Sequence, residues 1–280
     1  MAAALHSNAE IFAANRATGH IALRVAAVGG CTRRTRVHED GSLRVRFPNA
    51  ASEALEAVIV NTGGGMTGGD RFAVEIALGD GAHLIAGTAA AEKIYRSTGP
   101  DAEMDVKLEV GEGAQLAWLP QETILFDRAR LARRIDVDLS ARASLLMAEA
   151  VVFGRAAMGE AMAQGFFTDR WRVRGGGRLI FADSVRIDGA IADKLAAPAT
   201  AAGGIAIATV LIAPAGDGKL AAVRALAEQS KGGFLGDVGI SAWGGIAVAR
   251  LCAKDGAALR HDLIAVLAAL GAQVPRLWLN

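Results

Sequence analysis

Apolar and polar residues alternate with a period of two through the middle of the chain, and the alternating segments repeat. Residues 74–84 are similar to residues 106–116, residues 135–145 form a third copy, and residues 172–179 form a fainter fourth. Each copy is an alternating apolar run, a tight turn and a second apolar run. A period of two predicts strands rather than helices, so we expect this region to be built from strands.

The copies follow one another at nearly constant spacing. Aligned on Ala82, Ala114, Ala143 and Gly177, they are 32, 29 and 34 residues apart by subtraction. A strand repeat of this length favours a mainly β, stacked, β-helix-like or solenoid array, in which each unit buries its apolar face on its neighbours. A β-sandwich with similar hairpins is the alternative. No linker rich in proline or serine interrupts the chain, so we expect a single domain over residues 1–280.

Two α-helices are predicted near the C-terminus. Residues 219–230 and 257–270 each place apolar residues on one helical face. Gly232 is a plausible end of the first helix, Asp255 an N-cap of the second and Gly271 its C-terminal cap. The uncharged stretch of residues 195–216 contains prolines and glycines, and its apolar part is too short to span a membrane, so we expect a buried strand there.

Composition excludes some classes of partner. The 280 residues are 52% hydrophobic and the net charge is +1, which gives no reason to expect binding to nucleic acid or to an anionic membrane. Cys31 and Cys252 are isolated, and the first residues lack the pattern of a signal peptide. Both observations indicate a protein of the reducing cytoplasm.

The loop of residues 63–69 contains a literal G-x-G-x-x-G at Gly63, Gly65 and Gly68. In dinucleotide-binding proteins this motif opens a helix, whose N-terminus holds the phosphates. Here an alternating strand pattern follows, so we expect a tight loop with Asp70 and Arg71 presented at its edge. An enzyme that binds a phosphate cofactor on this loop is the alternative. We find no nucleophile motif and expect no catalytic activity.

The candidate metal chemistry is weak. The histidines (His6, His20, His38, His83 and His261) show no ligand spacing, so we expect no tight nickel site and no tightly bound cofactor. Carboxylates that bind Ni(II) weakly lie beside the unusual motifs: Asp70, Glu92, Glu122, Asp127, Glu149, Glu160 and Asp169. Glu149 lies between apolar runs, and we expect it to be buried with a partner.

Arginines alternate with apolar residues at Arg170, Arg172 and Arg174. On a strand these three side chains share one face, with Trp171 and Val173 on the other. The face that carries the three arginines is either solvated or a surface that docks an acidic partner.

Five segments occur in the order seen in the urease accessory protein D family, which the chain resembles. They are residues 61–71 (NTGGGMTGGDR), 92–97 (EKIYRS), 118–127 (WLPQETILFD), 152–160 (VFGRAAMGE) and 169–174 (DRWRVR), followed by the end of the chain, PRLWLN. The resemblance also implies the stacked β fold.

The resemblance implies a non-enzymatic urease maturation factor that binds apo-urease and the accessory proteins F and G, the latter a GTPase. It further implies a scaffold containing a passage for transient Ni(II). On this interpretation Asp70, Glu122, Asp127, Glu149 and Glu160 line the passage, and Tyr95 and Arg96 shape the same region. A bulky residue in place of Ala148 or Ala150 should block it. A β scaffold that passes no metal is the remaining alternative.

Overall fold

The computed structural model describes residues 16–48, 54–155, 158–229 and 233–279. These residues form a mainly β structure, which confirms the predicted class. The strands are β1 Thr18–Val28, β2 Cys31–Gly41, β3 Leu43–Arg46, β4 Leu55–Asn61, β5 Arg71–Leu78, β6 His83–Thr88, β7 Glu92–Ile94, β8 Ala102–Val110, β9 Gln115–Leu119, β10 Thr123–Leu125, β11 Arg130–Leu139, β12 Ser144–Arg155, β13 Glu160–Ala161, β14 Gln164–Gly175, β15 Arg178–Ala190, β16 Ala206–Ala213, β17 Asp237–Trp243 and β18 Ile246–Ala253. The helices are α1 Ile191–Ala196, α2 Asp217–Gln229 and α3 Gly256–Ala269, and a 3-10 turn covers Arg276–Leu279.

The strands form two sheets. The seven-stranded sheet has the order β15-β14-β11-β8-β5-β1-β2. The main path of the second, eleven-stranded sheet is β17-β18-β16-β12-β9-β6-β4-β3, and the short strands β7, β10 and β13 pair beside it. The chain crosses repeatedly from one sheet to the other, as β5 to β6, β8 to β9 and β11 to β12. This is a solenoid-like stack of the predicted kind.

The sequence repeat is visible in the strand register. Val74 of β5 pairs with Val106 of β8, which pairs with Ile135 of β11, and all of these strands are parallel. The turns stack as well, since Gly111 N–H donates to the carbonyl of Leu78 at 2.9 Å. Equivalent positions of the copies therefore lie side by side, as the stacked interpretation predicts.

The fourth copy follows the repeat only in its first strand. β14 extends the parallel sheet, but the chain then returns as β15, antiparallel in the same sheet, and does not cross to the other one. Gly176 and Gly177 both have positive φ, 55° and 78°. Two such residues form the tight hairpin that reverses a strand directly. The fourth copy thus keeps the predicted order of strand, turn and strand, with both strands in one sheet.

Two apolar cores hold the layers together. The larger core lies between the sheets and includes Leu131, Ile135, Met147 and Trp171. The smaller core lies between the eleven-stranded sheet and α3, and includes Leu263 and other apolar residues of that helix. Alternation along each central strand therefore decides which of the two cores a side chain enters.

The C-terminal helices agree with the prediction. The Asp255 side chain accepts a hydrogen bond from Ala258 N–H at 2.8 Å, and Gly271 follows α3 with a φ of 72°. Helix α2 ends at Gln229, while Ser230 and Gly232 lie outside the described residues. The uncharged stretch forms β16, as predicted, and none of the described helices is long and apolar enough to cross a membrane.

Candidate functional site

Three charged side chains enter the space between the two sheets because of strand alternation. Arg133 lies between the inward residues Leu131 and Ile135 of β11. Glu149 occupies the equivalent place in β12, and Asp169 occupies it in β14. All three are buried, with exposed fractions of 2%, 5% and 7%. Burial of charge on this scale requires mutual neutralisation.

These three residues form what we call the buried ion cluster. Arg133 Nε donates to Asp169 Oδ1 at 3.0 Å, and Arg133 Nη2 donates to Asp169 Oδ2 at 2.6 Å. Arg133 Nη1 donates to Glu149 Oε2. One guanidinium group therefore bridges two carboxylates, through the fork geometry that arginine alone among the side chains provides. The expectation that Glu149 is buried with a partner is confirmed.

Two further groups complete the hydrogen bonding of the cluster. Trp118 Nε1 donates to Glu149 Oε1 at 2.7 Å, and Arg133 Nη1 also reaches Thr123 Oγ1 at 3.3 Å. Burial raises the pKa of the Glu149 carboxyl above its ordinary value, although Arg133 opposes the shift. The site thus holds one cation between two acids from three different strands.

Polar groups continue from the cluster toward one end of the inter-sheet space. Thr123 is paired in register with Glu92 of β7, and Glu92 shares its strand face with the buried Ile94. Asn61 Nδ2 donates to Glu92 Oε1 at 2.9 Å. Burial raises the pKa of Glu92 to about 7, with the hydrogen bond from Asn61 opposing the shift. Near neutral pH both the protonated and the ionised form of this carboxyl are therefore accessible.

At the other end the cluster adjoins a cavity of about 20 Å³ that Thr209 and Asp183 help to line. This volume is sufficient for roughly one water molecule. Arg250 lies at the rim, where its Nη2 donates to Asp183 Oδ2 at 2.8 Å and its Nη1 reaches Thr209 Oγ1 at 3.4 Å. These groups follow one another through the inter-sheet space, and we call them the interior polar run: Asn61, Glu92, Thr123, Arg133, Glu149, Asp169 and Asp183.

Glu122 lies outside the interior polar run. Its side chain points to the helix layer, where Arg260 of α3 binds it through Nε at 2.7 Å and Nη2 at 2.5 Å. Arg260 Nη1 also donates to the carbonyl of Trp278 at 3.2 Å, and the buried Trp278 indole donates to Leu119 O at 3.2 Å. These contacts fasten the end of the chain to the 118–127 segment.

Asp127 and Glu160 meet at one rim of the sandwich. Asp127 N–H donates to Glu160 Oε1 at 3.3 Å, and Arg155 Nε donates to Glu160 Oε2. The Arg155 guanidinium also stacks on the Phe126 ring at 4.1 Å, and Tyr95 contacts the same ring edge-on at 4.9 Å. Tyr95 therefore packs on the ring that Arg155 also contacts, and whether it shapes a passage stays a prediction.

Asp70 is not presented at the edge of the glycine loop, as the sequence had suggested. It is 4% exposed, and its carboxylate accepts from Ala17 N–H at 2.8 Å and from Thr67 N–H at 2.7 Å. The Asp70 carboxylate turns inward because the tight turn leaves backbone N–H donors that need an acceptor. Arg71 is exposed, as expected.

The glycine loop itself is a packing element. A Cβ on Gly68 would lie 1.9 Å from Ser97 Oγ, and one on Gly65 would lie 2.7 Å from Lys93 O. The glycines thus allow the 61–71 segment to pack on the 92–97 segment. A strand, β5, follows the loop, as predicted, so no helix N-terminus is available to bind phosphate.

The three arginines of β14 share the outer face of the seven-stranded sheet, as predicted. Arg174 lies 3.9 Å from Asp136 on the neighbouring strand, and Arg172 Nη1 donates to the carbonyl of Asp183 at 3.2 Å. Arg170 is exposed on the same face. Whether they dock a partner stays a prediction.

The proposed blocking positions were placed on the wrong face. Ala148 and Ala150 are buried in the core beneath the helices, because they alternate with the inward residues Met147, Glu149 and Val151. Bulk at either alanine would press on α3 and leave the inter-sheet space unchanged.

Comparisons with known proteins cover almost the whole chain. The family described as UreD urease accessory protein matches residues 17–279. The chain belongs to the UreD family. A urease accessory protein UreD from Rhodopseudomonas palustris (strain BisA53) is 59% identical over 274 residues, 98% of this chain and 94% of that protein. The corresponding protein from Bradyrhizobium diazoefficiens is 56% identical over 280 residues, the full length of both.

Sequence reasoning about this UreD chain found Glu149 but missed Arg133, Thr123, Asn61 and Asp183. The sequence does contain a signal that Arg133 is buried, because this arginine occupies one of the apolar positions of an alternating strand. Of the five predicted lining residues, only Glu149 lies in the interior polar run. Asp127 and Glu160 are together at a rim, while Asp70 and Glu122 are held at separate places by backbone donors and by Arg260.

Proposed function

We infer that this chain acts in urease maturation as an accessory protein, an inference that its family supports. We propose that it acts without catalysing a reaction, by binding apo-urease and the accessory proteins F and G. We further propose that Ni(II) passes through the chain to urease along the interior polar run. The metal is cargo in this scheme and not a resident cofactor.

The interior polar run supports this proposal. A core between two sheets is normally filled with apolar side chains, because each unpaired polar group buried there costs free energy. Here Glu92, Glu149, Asp169 and Asp183 provide carboxylate oxygens at intervals along the interior polar run. Carboxylates suit a divalent cation in transit, because oxygen ligands hold Ni(II) less tightly than imidazole or thiolate.

The chemistry of the run is exchange of cations. Arg133 occupies the two central carboxylates, so an arriving ion has to displace the guanidinium from Glu149 or Asp169 before it moves on. The buried carboxyl of Glu92 must lose its proton to bind a metal, and its pKa of about 7 makes both forms accessible near neutral pH. A raised pKa therefore weakens metal binding by proton competition and favours release.

The remaining surface features fit the assembly part of the proposal. The Asp127 and Glu160 pair is at a rim, where an ion can be received from or passed to a partner. Arg170, which is exposed, and the half-buried Arg172 and Arg174 form a basic stripe that suits an acidic partner surface. Asp70 and Glu122 support the two segments from which the run is built.

The test is urease activation with purified components, with complex formation measured by pull-down in the same samples. Thr209→Trp places bulk in the cavity beside the buried ion cluster. Thr35→Trp is the matched control, because Thr35 is exposed on β2, at the opposite edge of the seven-stranded sheet from the arginines of β14. Glu149→Gln removes a ligand charge without adding bulk.

We expect Thr209→Trp to form the complex and to lose most activation, while Thr35→Trp retains activation. Glu149→Gln should slow activation partly, since ligation is shared along the run. Full activation by a folded, complex-forming Thr209→Trp variant would contradict passage and leave the scaffold function alone. Failure of the wild-type chain to bind any of the named partners would contradict the assembly function.

A further inference from the structure

Three side chains at one end of the eleven-stranded sheet form a stack that reaches the protein surface. Tyr95 and Phe126 directly follow the strands β7 and β10, and Arg155 ends β12; these three strands are parallel and in register. The Tyr95 ring meets the Phe126 ring edge-on at 4.9 Å between centroids, and the Arg155 guanidinium lies 4.1 Å from the centroid of the same ring. We call these three residues the Tyr95 stack.

Tyr95 is held in one position by the fold, although its side chain is 39% exposed. The hydroxyl donates to the carbonyl of Gly64 at 3.0 Å. A Cβ on Gly65 would lie 2.4 Å from Tyr95 Cε2, so the ring packs directly on the backbone of the glycine loop. Ordering a side chain is one of the costs of binding, and the fold has already ordered this one. An exposed tyrosine fixed in this way has the character of a binding hot spot, where tyrosine and arginine are enriched.

Two cations without a counter-ion lie beside the stack. Lys93 and Arg96 are both exposed, and Lys93 precedes Tyr95 by two residues on the same strand face. Neither forms an ion pair with a carboxylate of the described residues. The two carboxylates of this rim, Asp127 and Glu160, are already engaged by arginines. The surface around Tyr95 therefore keeps an excess of positive charge.

We propose that the Tyr95 stack and the two cations beside it bind a protein segment that carries an apolar side chain next to carboxylates. The apolar side chain packs on Tyr95, and the carboxylates pair with Lys93 and Arg96. Met158, which is 73% exposed on the hairpin of β12 and β13, adds apolar surface beyond Arg155. The proposal rests on the assembly part of the proposed function, because the segment belongs to one of the partners named there.

The charge pattern favours a protein segment over an anionic membrane. A membrane surface presents negative charge across the whole rim, and Asp127 and Glu160 would repel it. A protein segment can place its carboxylates opposite Lys93 and Arg96 and keep them away from the two acids. Such matching of individual charges is what gives a protein interface its specificity.

The experiment uses Tyr95 itself as the probe. It is the one tyrosine of the chain, so incorporation of fluorotyrosine gives a single fluorine NMR signal that reports on this surface. The labelled full chain is titrated separately with apo-urease, accessory protein F and accessory protein G, and pull-downs measure binding in the same samples.

The variants are Tyr95→Ala and Lys93→Glu. Arg33→Glu is the matched control, because Arg33 is an exposed arginine of β2, in the other sheet, and forms no ion pair with a described carboxylate. Thermal unfolding checks that each variant is folded. Lys93→Glu changes only an exposed side chain, so it decides the question even where Tyr95→Ala fails to fold.

We expect one of the three partners to shift or broaden the fluorine signal. Tyr95→Ala should weaken the binding of that partner by at least about 30-fold, the loss typical of a hot-spot residue. Lys93→Glu should weaken it by roughly tenfold at low salt and by less at high salt, because salt screens exposed charges. Arg33→Glu should bind as the wild type does.

The docking surface is assigned wrongly if the wild type binds its partners without a change in the fluorine signal, or if folded Lys93→Glu binds as the wild type does. A signal that changes only with the concentration of the chain itself, or only with vesicles of anionic phospholipid, also overturns the proposal, since the occupant is then a second copy or a membrane. A wild-type chain that binds none of the partners contradicts assembly and docking together, whereas equal binding by all variants contradicts the docking surface alone.

Discussion

Replacement of Arg133 by methionine removes the one cation of the buried ion cluster and keeps an unbranched apolar chain about as long as the aliphatic stem of arginine. Asp169 then loses two hydrogen bonds from Arg133, at 3.0 and 2.6 Å, and Glu149 keeps the 2.7 Å bond from the Trp118 indole. Two buried carboxylates are left without a counter-ion. Breaking a buried ion pair in this way typically costs about 3–5 kcal/mol, a large part of a usual folding free energy.

Urea unfolding of the purified chain measures this loss. With a slope of about 3 kcal/mol per M for a protein of this size, the midpoint should fall by roughly 1.0–1.7 M. Arg134→Met is the matched control, because Arg134 is the next residue of β11 on the opposite, exposed face and lies 3.8 Å from Asp105. An exposed pair of this kind contributes at most about 1 kcal/mol.

The pH dependence separates lost charge pairing from lost packing. Without Arg133 the folded-state pKa of Glu149, which burial already raises, rises further, so the folded variant binds more protons and gains stability relative to wild type as pH falls. The difference between the variant and the wild type should therefore shrink between neutral pH and about pH 5. A cavity would cost the same at both pH values. The reasoning fails if Arg133→Met resembles Arg134→Met, or if its penalty does not change with pH.

Two further predictions concern other parts of the chain. Glu92 has a folded pKa raised from 4.5 to about 7, so its contribution to stability is present below pH 4.5 and is lost as pH rises to about 7. Glu92→Gln should then unfold at higher urea concentration than wild type above pH 7 and lose this advantage in acid, whereas equal midpoints at both pH values would contradict the assigned burial. Arg260→Met breaks the two bonds to Glu122 and the one to Trp278 O, so it should lower stability by about 1–3 kcal/mol. Hydrogen exchange at Arg276–Leu279 should accelerate, and unchanged protection there would show that the Trp278 contacts alone hold the C-terminus.

The stacked fold was predictable because it depends on local sequence patterns, namely strand alternation and the spacing of the repeat. Alternation identified β5, β8 and β11, and the constant spacing indicated that they stack, as the register of Val74, Val106 and Ile135 shows. The helix caps were equally local, since Asp255 and Gly271 act within a few residues of the helix ends. The hairpin at Gly176 was not predicted, because the same glycine-rich composition is compatible with a turn that crosses to the other sheet and with a hairpin within one sheet.

The buried ion cluster was only partly predictable. Apolar neighbours on both sides placed Glu149 inside, but its partner could have been any of the chain's many arginines. Arg133 and Arg134 are adjacent, and only the parity set by Leu131 and Ile135 distinguishes the buried one. Contacts such as Arg260 to Glu122 join residues 138 positions apart, and no spacing within one sequence signals them. The side on which Ala148 and Ala150 lie required the same strand parity.

Parallel stacking has a consequence for how the chain reaches its native state. Each central strand pairs with one about thirty residues away, so no unit can form a stable pair until its neighbour has been synthesised and the loop between them has closed. Folding by such non-local pairing is slow and leaves strand edges open to the edges of other chains. The units are also alike in sequence, which permits pairing one repeat out of place. We therefore expect the yield of folded protein to depend on how long the chain stays incomplete during synthesis. It should also depend on which other proteins are present then, as strongly as on the final stability.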